Sequence, residues 1–277
     1  MLYLCILVAL FLSVDAQTTI DQELPSLVKV RGDRSTARIP CEISQQTSYV
    51  HWYVQKQNQV IKRILYFGEG KDNYEDGFDS RKYDTTPREN KYTLTIYDVK
   101  DDDSGIYYCA YWGKLHSVNV KVFGSGTKLV VTSSTDQRAK EPHVTILASS
   151  KSDLRTKKSA TLLCNLQNFF PDAIKVEWTD GSNNKLESEQ GTIITDASSD
   201  LSSLYSWITI KQSDIGSTYK CKYKHEGNGN QWKEETYNTE HLNVEDLMDQ
   251  ADQTDISNCI YTPGNYIWTN LIFYMYL

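Results

Sequence analysis

The stretch DDDSGIYYCAYWGKLHSVNVKVFGSGTKLVV (101–131) contains a strand-like run that ends at a cysteine, thirteen residues of irregular character, and a second strand-like run opened by closely spaced glycines. In its first part, Tyr107 stands two residues before Cys109. That spacing predicts a tyrosine whose hydroxyl bonds back to nearby backbone at the corner of a β-sandwich, and Tyr219 holds the same place before Cys221. The Asp101–Asp103 triplet reads as a solvated turn before a strand rather than a metal site, with Asp103 placed to pair with Arg81 or Lys82. Gly124 and Gly126 are expected to permit a bulge that re-aims the second run.

Working outward from Cys109, the order Cys41…Trp52…Cys109 recurs as Cys164…Trp178…Cys221. A cysteine pair spaced this widely around a tryptophan is the framework of a two-sheet antiparallel sandwich, with a disulfide joining the sheets and an indole packed on it. Each such crosslink stabilises by roughly 4 kcal/mol in the chain-entropy account. The alternation around the cysteines agrees: Ala37, Ile39, Cys41 and Ile43 share one face, as do Ala160, Leu162, Cys164 and Leu166. The chain therefore reads as all-β, two sandwiches in tandem.

The bulk composition bounds the function. With 277 residues the chain has room for two domains, and a net charge of −7 with pI near 5.3 excludes nucleic acid as a partner, since phosphate binding needs a basic field. His51, His116, His143, His225 and His241 are scattered without metal-ligand spacing, and no phosphate loop or nucleophile elbow occurs. No enzyme and no cofactor are expected; His225 reads as a satisfied turn residue.

Residues 1–16 read as a signal peptide ending Val14-Asp15-Ala16, although no Lys or Arg precedes the apolar run and a buried helix is the competing reading. Cys5 would leave with it. Of the five cysteines that remain, Cys259 has no intradomain partner and reads as a link to another chain, the alternative being a free surface thiol. Around it, "EDLMDQADQTDISNC" (245–259) is acidic and polar, as in an extended linker, and "YIWTNLIFYMYL" (266–277) begins an apolar stretch too short to span a bilayer.

Outward-facing positions carry the next inference. Tyr53, Gln55, Tyr108 and Phe123 project from one sheet of the first sandwich as an apolar patch that favours a covering partner. In the second sandwich the corresponding sheet is charged and reads as solvated: Lys175, Glu177, Lys220, Lys222 and Lys224. Its opposite sheet instead shows Leu163, Tyr205 and Trp207. A one-residue slip would exchange those faces and make Trp207 core, so the register remains open at this stage.

These residues also carry a resemblance. "HWYVQKQ" (51–57), "DDDSGIYYCA" (101–110) and "FGSGTKLVV" (123–131) resemble the C strand, F strand and joining segment of a rearranged antigen-receptor variable domain. "CNLQNFFPDAIKVEW" (164–178) with "YKHEGN" (223–228) resembles the constant domain of T-cell receptor gamma chains. The resemblance implies two immunoglobulin-like sandwiches, V-type over 17–133 and C1-type over 140–245, then a connecting peptide over 246–265 and the start of a membrane segment over 266–277.

It further implies a plasma-membrane chain of single-pass type I, secreted if its short end is genuine. Such a chain pairs with a delta-like chain through Cys259, meets signalling subunits, and binds protein or lipid-presenting antigen through three distal loops. Two of those loops fall at 44–49 and 68–77. The third contains Tyr111, Trp112, Gly113, Lys114, Leu115 and His116, whose mix of rigid aromatics and polar ends suits an adaptable binding surface. A germline adhesion or immune regulatory receptor, and an immunoglobulin light-chain-like chain, are the alternatives.

Overall fold

A computed structural model describes residues 18–242 except 33, 46, 116–117 and 134–137. The expected signal peptide over 1–16, His116, Cys259 and the expected connecting and membrane segments lie outside the described residues.

The first sandwich is built from β1 (Ile20–Asp21), β2 (Ser26–Val30), β3 (Ala37–Ile43), β4 (Tyr49–Gln55), β5 (Lys62–Gly68), β6 (Lys71–Tyr74), β7 (Tyr83–Arg88), β8 (Lys91–Ile96), β9 (Gly105–Leu115), β10 (Val118–Phe123) and β11 (Thr127–Thr132). One sheet runs β1-β3-β8-β7 and the other β2-β11-β9-β4-β5-β6, with β10 pairing β9 above β11. Alternation decides which side chains enter: along β3, Ala37, Ile39, Cys41 and Ile43 are buried while Arg38 and Glu42 are exposed. The Cys41–Cys109 disulfide joins the sheets, and Trp52, Tyr107, Leu94 and Leu129 pack around it with no exposed surface.

The second sandwich is built from β12 (His143–Ala148), a short helix α1 (Lys151–Lys157), β13 (Ser159–Phe169), β14 (Lys175–Asp180), β15 (Lys185–Leu186), β16 (Glu189–Gln190), β17 (Ile194–Thr195), β18 (Ser202–Lys211), β19 (Thr218–Lys224) and β20 (Trp232–Asn238). Its sheets run β12-β13-β18-β16, with β17 also on β18, and β15-β14-β19-β20. Cys164–Cys221 joins them beside Trp178, whose Nε1 donates to Ser206 Oγ at 3.1 Å.

Both corners have the expected tyrosine. Tyr107 Oη donates to the carbonyl of Asp103 at 2.8 Å, and Tyr219 Oη to that of Asp214 at 3.1 Å. Asp103 takes Lys82 at 2.6 Å, while Arg81 pairs with Asp79 instead. The buried Asp103 carboxylate thus has a cation and the Lys100 amide as partners, which offsets its desolvation.

Three expectations are corrected. The segment 68–77 is half strand, because Lys71–Tyr74 returns along β5 as β6 in register from Gly68↔Lys71 to Leu65↔Tyr74. The irregular insert after Cys109 is a regular hairpin: β9 and β10 pair without slip from Phe123↔Ala110 to Val118↔Leu115. Its apparent irregularity hid an alternation, Val118, Val120 and Val122 against Asn119 and Lys121. Lastly, the charged sheet of the second sandwich is not solvated throughout, since Lys224 is only 5% exposed and Lys175 pairs with Asp21 of the first sandwich.

Candidate functional site

Gln22 is the hub that sets the course of the projecting hairpin. Its fully buried amide accepts from the backbone N–H of Cys109 at 3.0 Å and of Gly126 at 3.1 Å, and donates to the Tyr107 carbonyl at 2.9 Å. One side chain thus satisfies backbone groups freed where β10 gives way to β11. Gly126 completes the switch: its φ is +86°, and a Cβ there would lie 2.7 Å from the Tyr108 ring. Sequence reasoning missed Gln22, whose partners lie at the far end of the domain.

Along the hairpin the candidate loop residues separate by face. Tyr111 is buried, its hydroxyl donating to the Thr18 carbonyl at 2.7 Å. This corrects its expected place among the contact residues, because odd positions on β9 continue the inward row of Tyr107 and Cys109. Trp112 points outward and is 54% exposed. Opposite it, Lys121 Nζ sits 4.8 Å from the Trp112 ring centroid, 5.2 Å from that of Tyr53 and 2.7 Å from Tyr53 Oη. The ammonium thus lies against the Trp112 ring and is held at the Tyr53 hydroxyl. Gly113 pairs with Val120 inside the ladder; Lys114 and Leu115 end β9 opposite Asn119 and Val118.

Below the hairpin, the outer face of β4, β9 and β10 gathers Tyr53, Gln55, Tyr108 and Phe123. Tyr53 and Phe123 rings meet at 5.1 Å, Tyr108 Oη donates to Gln55 Oε1 at 3.4 Å, and Phe123 is 43% exposed. His51 lies buried on the same face, with neither ring nitrogen hydrogen-bonded among the described residues. Burial, then the charges of Lys121 and Arg63, push its pKa down to about 4, so the ring is neutral.

In the second sandwich β18 settles the register. Leu204, Ser206, Ile208 and Ile210 are buried, and Tyr205 and Trp207 emerge on the outer face. Trp207 lies opposite Leu163 of β13, which in turn lies opposite Leu147 of β12, 54% exposed. Leu147, Ala148, Thr161, Leu163 and Trp207 line one shallow apolar depression. The two apolar faces therefore belong to non-equivalent sheets of the successive sandwiches. Among the described residues no group of three or more His, Cys, Asp or Glu is placed to hold a metal ion.

The immunoglobulin V-set domain family matches residues 25–132, and the immunoglobulin C1-set domain family matches residues 144–228. Human T cell receptor gamma variable 5 is 34% identical over 108 residues, 38% of this chain and 92% of the relative. Human T cell receptor gamma constant 1 is 34% identical over 90 residues, 32% of this chain and 51% of the relative. The chain thus spans about half the length of the constant-region relatives it matches. A solved marsupial T cell receptor superposes with a TM-score of 0.69 at 27% identity, covering 80% of this chain and 98% of that one. With a V-set and a C1-set sandwich in that order, each similar in sequence to the corresponding gamma region, the chain belongs to the T-cell receptor gamma family of the immunoglobulin superfamily.

Proposed function

We propose that this chain is the antigen-recognition subunit of a gamma/delta-type receptor, paired lengthwise with a delta-like chain, covalently linked through Cys259, and meeting ligand at its distal loops. The observation that carries the reading is the pair of uncovered apolar faces, Tyr53, Tyr108 and Phe123 on one sandwich and Leu147, Leu163, Tyr205 and Trp207 on the next. Apolar area of this kind left open to solvent marks an interface. The projecting hairpin supplies Trp112, Val118 and Asn119 as exposed contact groups, and a rigid aromatic beside polar neighbours suits ligand binding at low entropic cost.

Protein or lipid-presenting antigen is the ligand class that the family resemblance supports, and it supports contact with signalling subunits and a plasma-membrane location in the same way. Among the described residues no helix is long and apolar enough to cross a membrane.

Two measurements test the proposal. Co-expressed with a delta-like chain, the wild type is expected to run as a heterodimer on non-reducing electrophoresis and the Cys259→Ser chain as separate monomers; monomer bands in both remove the covalent link. Transcripts from single cells of one animal are expected to differ within 110–122 and agree elsewhere. Identical loops in every cell would instead favour a germline adhesion receptor.

A further inference from the structure

The two sandwiches meet through a carboxylate. Glu226 stands in the 3-10 turn Glu226–Asn228 that joins β19 to β20, and its side chain crosses to β2 of the first sandwich. The Val28 amide donates to both carboxylate oxygens, at 2.8 and 2.7 Å, and Ser26 Oγ to one of them at 3.4 Å. β2 is the outermost strand of its sheet and pairs, among the described residues, with β11 alone. An outward-pointing amide on such a strand has no ladder partner, and here an anion from the other domain caps it.

The turn that presents Glu226 is fixed from behind. His225 is fully buried, with Nδ1 accepting from the Gly227 amide at 2.9 Å and Nε2 lying 2.9 Å from the Pro171 carbonyl. A carbonyl only accepts, so the ring proton is on Nε2 and the imidazole is neutral; burial, which pushes its pKa down, agrees. Gly227 rests on backbone, since a Cβ there would lie 2.3 Å from the Glu141 nitrogen. The carboxylate is therefore delivered from a turn with little freedom.

Charge pairs flank it with alternating polarity. Lys128 of the first sandwich reaches both Asp172 oxygens at 2.7 Å. In the other direction Lys175 reaches Asp21 at 3.0 Å and the Gln22 carbonyl at 2.6 Å, and Lys224 reaches Glu23 at 3.2 Å. These pairs add to the Glu226 contact in opposing rotation of one sandwich against the other.

We propose that the joint between the variable and constant sandwiches is a latched elbow, with Glu226 seated on the open edge of β2 as the latch. The hairpin and the constant domain then move as one body, and a load or tilt at the distal end reaches the constant domain undiminished. Nothing in this depends on the identity of the partner or the antigen.

Amide exchange at Val28 and the interdomain distance report on the latch directly, both in the full chain. Spin labels at the exposed Arg88 and Glu187 give the distance distribution by pulsed electron resonance. In the wild type the Val28 amide is expected to be protected and the distribution narrow. Glu226→Ala is expected to speed Val28 exchange by roughly tenfold or more, the scale of a lost charge-assisted hydrogen bond, and to broaden the distribution while amides of β9 keep their protection. Glu226→Gln, which retains one acceptor oxygen, is expected to fall between. Equal Val28 protection in wild type and Glu226→Ala, or a broad distribution in the wild type, overturns the proposal.

Discussion

His51 shows how a single residue can be out of balance in the isolated chain. A neutral imidazole offers one donor and one acceptor, and among the described residues both are buried without hydrogen-bond partners, on the face proposed for pairing. Its pKa falls from an ordinary 6.5 to about 4, through burial first and the Lys121 and Arg63 charges second. Between those values the unfolded chain takes up a proton that the folded chain refuses, so this contribution to stability is complete above pH 6.5 and is lost as pH falls toward 4. In urea unfolding, His51→Leu is expected to be at least as stable as the wild type at pH 7, because no buried polar atom is left unpaired. The variant's loss of stability from pH 7 to pH 5 is also expected to be smaller than the wild type's. Equal losses in the two proteins would show that His51 does not titrate in this window. Residues of this kind differ in legibility: Tyr107 and Tyr219 are readable because their partners lie within five positions, whereas the orphaned state of His51 depends on β5, β9 and β10 meeting over it.

Elements whose side chains alternate openly between core and solvent are the legible ones. The alternation of β3 and β13 and the cysteine–tryptophan spacing place two sandwiches without any coordinates. The hairpin of β9 and β10 escaped because its aromatic and glycine content, Tyr111-Trp112-Gly113, conceals a period of two that the valines of β10 display openly. β6 escaped for a different reason: KDNY is polar and poor in β-formers, and its place comes from pairing with β5 and from Tyr74 Oη donating to the Tyr83 carbonyl at 2.8 Å. The junction of β9, β10 and β11 is legible only in its glycines, since it also hangs on a glutamine 85 positions from Tyr107. Gln22→Ala strands the amides of Cys109 and Gly126 and the carbonyl of Tyr107 in a dry interior. It is expected to destabilise the variable sandwich by about 3 kcal/mol or more. Denaturant unfolding followed domain by domain checks this, with an unchanged constant-sandwich transition as the internal control. A loss below about 1 kcal/mol would mean that solvent reaches those groups after all.

At the scale of the whole molecule, the two sandwiches use their sheets in opposite senses. The variable half leaves the β4–β9–β10 face uncovered, while the corresponding charged sheet of the constant half uses Lys175 and Lys224 at the elbow and holds Lys222 half-buried beside Trp232. A partner that covers Phe123 above must therefore cross to the β12–β13–β18 face below to meet Trp207. The crossing can be probed at one residue. Trp207 points away from the core row of Leu204, Ser206 and Ile208, so Trp207→Asp leaves the disulfide-centred core intact but puts a carboxylate in the centre of the apolar depression. In a Cys259→Ser background, where no covalent link masks affinity, the substitution is expected to weaken association with a delta-like chain by about 2 kcal/mol or more, roughly thirtyfold in Kd by sedimentation. Lys222→Asp, on the opposite sheet, is expected to leave Kd within about twofold of the reference, the scale of a peripheral charge change. If the two substitutions weaken association equally, the apolar face of the constant sandwich is not where the partner sits, and the crossing between sheets has no role in pairing.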